Sequence, residues 1–222
     1  MHTKKVKILT HITNGETMEI KRHKVFISYY HQEDQWFKNR LLQANDDYNL
    51  FEDCSVHENE IEDDDLLPET IRKIIRDDYM QEATVLILLC GQTTKHRKHI
   101  DWEIHTAMFH TEKNPKMGIL VINLPTIEQT ERSTGDYEKQ FFSPTVTWSP
   151  ASKKREDIEA LYPHLPVRIV DNLIKDDVSI SIVNWNTIEQ NFNRLKGLVD
   201  VAFDRRTSNN YDHSRPLRRK NS

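Results

Sequence analysis

Histidines, cysteines and carboxylates are the side chains in this 222-residue chain that could do chemistry by type, and their spacing decides among them. Zinc needs Cys and His at ligand spacing. Neither His96 with His99 nor His105 with His110 joins cysteines in that way, and no H-E-x-x-H occurs, so no metal is expected. The acidic stretch His57 to Asp65 (HENEIEDDD) lacks the central glycine and spaced ligands of a calcium loop and reads as solvated charge. Cys54 and Cys90 sit in apolar, strand-like runs, as small buried thiols of a reducing compartment do, and neither is given chemistry. The five glycines (15, 91, 118, 135 and 197) never cluster, which removes both G-x-G-x-x-G and G-x-x-x-x-G-K-[ST]. A nucleotide bound here is held in another way. One carboxylate then stands apart: Glu103, which follows Asp101 and Trp102 in the first turn of a helix.

The surrounding elements give that turn its meaning. Lys24 to Tyr30 (KVFISYY) reads as a strand, and Gln32 to Leu42 as a helix with Trp36, Phe37, Arg40 and Leu41 at helical spacing. Leu50 to Val56 (LFEDCSV) is a shorter strand leading into the acidic loop. Pro68 opens a helix whose apolar stripe is Leu67, Ile71, Ile74, Ile75 and Tyr79. Thr84 to Cys90 (TVLILLC) is continuously apolar, as a strand covered on both faces must be, and Gly91 ends it. Ile100 to Thr111 carries Ile100, Ile104, Ala107 and Met108 on one helical face, and Gly118 to Leu124 (GILVINL) is another buried strand. Periodicity is lost from Thr126 to Pro150, which marks a functional flap or an irregular insertion. Ser152 to Leu161 reads as a helix, Val167 to Leu173 (VRIVDNL) as a fifth strand, and Ile188, Phe192, Leu195, Val199 and Ala202 as a last amphipathic helix ending near Arg206.

This alternation predicts an α/β fold: a flavodoxin-like, doubly wound parallel sheet of about five strands with a C-terminal helical extension. The expected divisions are an N-terminal extension (1–23), the sheet domain (24–173, with 126–150 irregular), the helical extension (174–205) and a basic tail (206–222). In the usual strand order 2-1-3-4-5, ligands sit beyond the carboxyl ends of strands 1 and 3, where the winding reverses. That rule nominates the loop Ser28, Tyr29, Tyr30, His31 and Gln32, and the loop from Gly91 to His99. Glu103 is the carboxylate best placed to act between them.

A net charge of −4 and a pI near 6.3 argue against a dedicated nucleic-acid binder, although Arg205 to Lys220 is basic. That tail is expected to be a solvated segment docking partly on its own domain. A mean hydropathy of −0.73, no apolar run near the ~18 residues a bilayer requires, and a basic start without an apolar core predict a cytoplasmic protein without signal peptide or membrane anchor.

The run VFISYYHQED resembles the first signature of TIR domains, and LFEDCSV with its acidic loop, Pro68 and amphipathic helix is similar to the second strand, BB loop and following helix of that fold. TVLILLCGQTTKHRKHIDWEI resembles more closely the TIR-like domains of bacteria, in which a Trp-Glu pair opens the helix after the central strand. The TIR subunits of Thoeris antiphage systems are similar in size. The resemblance covers roughly Lys24 to Leu124. It departs from the family at two points: His99 stands four residues before Glu103 where many catalytic members have tryptophan, and Pro68 is followed by Glu69 where many have glycine.

The resemblance implies NAD as a substrate, not as a cofactor. Enzymatic TIR domains break the nicotinamide–ribose bond and release or pass on ADP-ribose, sometimes cyclised into a messenger for a separate effector protein. Glu103 falls at the catalytic glutamate of that family. Ser28 would bond a phosphate or ribose, Trp102 or a tyrosine such as Tyr30 would stack on a ring, and His31 and Gly91 complete the expected substrate-binding set. TIR–TIR self-association is a family property as well. A non-catalytic TIR-like module that binds nucleotide or protein is the alternative.

Overall fold

The structure, a computed structural model, describes residues 22–55, 67–80, 82–112 and 115–221. Residues 1–21 of the expected N-terminal extension, the acidic stretch His57–Asp65 and the side chain of Tyr79 lie outside the described residues. In chain order the elements are β1 (Lys24–Ser28), α1 (His31–Tyr48), β2 (Glu52–Asp53), α2 (Pro68–Ile74), a π-helical turn (Ile75–Tyr79), β3 (Val85–Cys90), a 3-10 turn (Thr94–His96), α3 (Lys98–Met108) and β4 (Gly118–Asn123). They continue with α4 (Asp136–Lys139), α5 (Arg155–Leu161), α6 (Val167–Leu173), β5 (Ser181–Asn184), α7 (Trp185–Glu189) and α8 (Asn193–Arg205). All strands pair in parallel in the order β2-β1-β3-β4-β5. The fold is α/β and flavodoxin-like.

Alternation along the first strand sends Phe26 and Ser28 to one face of the sheet and Val25, Ile27 and Tyr29 to the other. Ile71 of α2, Ile104 of α3 and Ile169 of α6 cover the first face; Leu41 of α1, Ile188 of α7 and Leu198 of α8 cover the second. Residues 85–90 and 118–123 are buried on both faces, which is why they read as unbroken apolar runs. Helix α8 crosses the start of β4 so closely that a Cβ at Gly118 would lie 1.9 Å from the Ala202 carbonyl oxygen. No helix among the described residues is long and apolar enough to cross a membrane.

Several expectations need correction. Val167–Leu173 is helix α6, and the fifth strand is Ser181–Asn184, paired with β4 through Leu120 and Ser181. The segment 174–205 thus contributes the last strand, β5, ahead of its helices α7 and α8. The last helix is two, α7 and α8. Leu67 and Trp36, placed on apolar stripes, are 70% and 59% exposed. The stretch 126–150 is an edge cover: Arg132 pairs with Ile182 on the outer side of β5, so the sheet presents no bare edge there. The tail is a docked strap. Tyr211 and Leu217 are buried in the layer beside α3 and α6, and Arg168 donates to the carbonyls of Arg215 and Pro216.

Candidate active site

Chain leaving β1 enters α1 on one face of the sheet, whereas chain leaving β3 enters α3 on the other. A crevice must open between the two strand ends. Ser28 pairs with Leu88, and β3 runs on to Cys90 beyond it, so the crevice floor is stepped. Ser28 lies on the α3 side. Its hydroxyl donates to Glu103 Oε2 at 2.6 Å, a length typical of a hydroxyl on a carboxylate. Both residues are buried, at 1% and 8% exposure. Glu103 reaches this position because it is three residues after Ile100 and four before Ala107, on the face by which α3 packs against the sheet.

The other expected site residues are distributed around this pair. Tyr29 is buried beneath α1, with its hydroxyl donating to Gln35 and its ring 4.4 Å from that of His31. Tyr30 is half-buried, and the guanidinium of Arg97 lies 3.8 Å above its ring. Gly91 is buried, its N–H donating to Thr94 Oγ1 at 2.8 Å. Thr93 Oγ1 donates to Glu33 Oε2 at 2.6 Å, which ties the two loops together. Trp102 departs from expectation: it offers no ring to the crevice. It is fully buried, and its indole N–H donates to the Arg218 carbonyl at 2.8 Å. One helical step turns about 100°, so the residue beside Glu103 points into the layer closed by the strap.

Two groups at the crevice escaped the sequence reading. Arg97, the residue before α3, joins Tyr30 as described. Asp34, in the first turn of α1, packs against Gly91 so tightly that a Cβ there would lie 2.8 Å from its Oδ1. It is 5% exposed, and Oδ2 is buried without a hydrogen-bond partner. Nothing in the sequence separates it from the other acidic residues of α1; only the close pass of α1 over Gly91 does.

Burial, with the charge of Glu33 adding, pushes the Asp34 carboxyl from its ordinary 3.8 up to about 6, against a backbone N–H of Tyr30 that lowers it. Between pH 4 and 6 the folded protein thus holds a proton the unfolded chain has released. Stability falls as pH rises through that window, and the loss persists above it. Asp34→Asn is expected to stabilise the protein by about 1–2 kcal/mol more at pH 8 than at pH 4.5 in urea unfolding. Equal effects at the two pH values would show that the carboxylate is compensated. Cys90 is kept from thiolate chemistry, because burial and Asp34 push its thiol up.

The arrangement can hold a developing positive charge beside Glu103, keep that carboxylate oriented through Ser28, and offer Tyr30 and Arg97 as a ring and a cation nearby. Among the described residues no group of three or more His, Cys, Asp or Glu is placed to hold a metal ion. No curated protein matches the chain. Residues 26–129, which contain Ser28, Asp34, Gly91, Arg97 and Glu103, match the family described as Thoeris protein ThsB, TIR-like domain, so the part of the chain that carries this crevice is similar to a ThsB-type TIR-like domain.

Proposed function

We propose that this protein breaks the nicotinamide–ribose bond of NAD, as an enzyme of antiphage defence whose ADP-ribose-derived product signals to a separate effector. The observation that carries this reading is the buried Ser28–Glu103 hydrogen bond at the carboxyl ends of β1 and β3. The bond between ribose C1′ and the nicotinamide nitrogen breaks with its electron pair leaving on nicotinamide. C1′ becomes oxocarbenium-like, and a carboxylate in a water-poor site stabilises that charge far better than water does. Water then captures C1′ to give ADP-ribose and a proton, or a nucleophilic atom of the same molecule captures it to give a cyclic nucleotide. NAD is the substrate, and no cofactor takes part.

The 8% exposure of Glu103 favours a second reading, in which the carboxylate only accepts from Ser28 and the domain binds nucleotide without cleaving it. Mass spectrometry of small molecules from expressing cells, with and without phage, separates the two. Nicotinamide and an ADP-ribose derivative accumulate if NAD is cleaved. Unchanged NAD under infection would leave the binding module.

A further inference from the structure

A cavity of about 280 Å³ lies between the 3-10 turn Thr94–His96, the first turn of α3, the start of α6 and the strap at 215–218. Its walls carry Lys95, Arg97, Arg215 and Arg218 against one carboxylate, Asp101. That carboxylate is already committed. Arg168 grips it with Nε on Oδ1 at 2.9 Å and Nη2 on Oδ2 at 3.0 Å, and the Arg218 N–H donates to Oδ2 at 2.9 Å. Arg215 is likewise held by Asp171. Lys95 and Arg97 have no carboxylate partner among the described residues. The Lys95 ammonium donates to the Pro163 carbonyl, and the Arg97 guanidinium covers Tyr30 with its Nε buried and without a hydrogen-bond partner. The wall thus holds a surplus of positive charge at the N-terminus of an eleven-residue helix, whose dipole has the same sign.

Shape narrows the ligand. At about 280 Å³ the cavity has room for a charged fragment of a nucleotide. A planar guanidinium beside an ammonium suits phosphate oxygens. Arg97 faces the cavity and covers Tyr30 of the crevice as well, whereas Asp101 in its wall and Glu103 point to opposite sides of α3. An anion in the cavity and a ribose at Glu103 would therefore meet around the N-terminus of α3, with Arg97 between them.

We infer that this cavity is the diphosphate subsite of the nucleotide whose ribose meets Glu103, with Lys95 and Arg97 as its binding cations. The assignment to the substrate rests on the NAD reading; the anion site itself does not. Calorimetric titration of the full chain with inorganic pyrophosphate at low ionic strength is expected to show saturable binding, weakened about tenfold or more in Lys95→Gln/Arg97→Gln. Lys95→Gln alone, which removes one exposed hydrogen bond, is expected to weaken it in part and keeps the test clear of any disturbance to the Tyr30 contact. Pyrophosphate is further expected to raise the KM for NAD while leaving kcat unchanged. Absence of saturable binding, or equal binding by the variants, overturns the site. Binding that leaves the KM untouched overturns its assignment to the substrate. Where the chain turns over no NAD, the cleavage reading fails on its own account, and displacement of bound pyrophosphate by ADP-ribose still supports the subsite.

Discussion

Glu103→Gln is expected to leave the fold intact and to slow nicotinamide release from NAD by at least about 100-fold, the usual cost of losing a preorganised charge-stabilising group. Glutamine keeps the size of the side chain and an oxygen that can accept from Ser28, so the bond at 2.6 Å has a replacement and the packing of α3 is preserved. What goes is the negative charge that the proposed cleavage places beside ribose C1′. Ser28→Ala removes the orienting hydroxyl but not the charge, and is expected to cost about tenfold in kcat, the range for a hydrogen bond to a charged group. Steady-state assays with NAD, alongside thermal melts that confirm folding, read both variants. Wild-type turnover by Glu103→Gln would remove Glu103 from the chemistry and return the domain to a binding role.

Glu103 was legible without any structure because two unbroken apolar runs, TVLILLC and GILVINL, fix the sheet's centre, and the winding rule then points to the helix after the first of them. The lost fifth strand has an equally physical cause. VRIVDNL is seven residues long and buried from Arg168 onward, and at that length an apolar run is ambiguous between strand and helix. The helical signal was present in its polar residues: Arg168, Asp171 and Asn172 fall at i, i+3 and i+4, and each reaches the strap or α3. The true strand, Ser181–Asn184, is four residues and carries a polar residue at each end. Asp34 and the cationic cavity were invisible for a different reason. Both arise where segments distant in sequence meet, α1 over Gly91 and residues 215–218 against the turn at 94–97, and no local pattern encodes such a meeting.

The strap gives the largest expected effect on stability, through Arg168. This side chain is fully buried, and its guanidinium makes four hydrogen bonds: two to Asp101 and one each to the carbonyls of Arg215, at 3.0 Å, and Pro216, at 3.2 Å. Methionine is close in length and fills irregular space, so Arg168→Met removes charge and donors more than volume. It leaves the 8%-exposed Asp101 with the Arg218 N–H but without its cation, and leaves two strap carbonyls unpaired. Breaking a buried pair from one side costs about 3–5 kcal/mol, whereas removing both partners costs much less. For a domain of this size about 2–4 °C of melting temperature is lost per kcal/mol, so a fall of roughly 10 °C is expected. Asp101→Leu in the Arg168→Met background should recover a substantial part of it. A single variant within about 1 kcal/mol of wild type would show that the pair contributes nothing net. Because the Arg218 carbonyl accepts from the Trp102 indole, a released strap also changes Trp102 fluorescence and opens the backbone at Arg218 to trypsin. These signals separate loss of the strap from general unfolding: in Arg168→Met they should appear below the melting transition, since α3 is held from outside by the strap at Asp101 and from inside by Ser28 at Glu103.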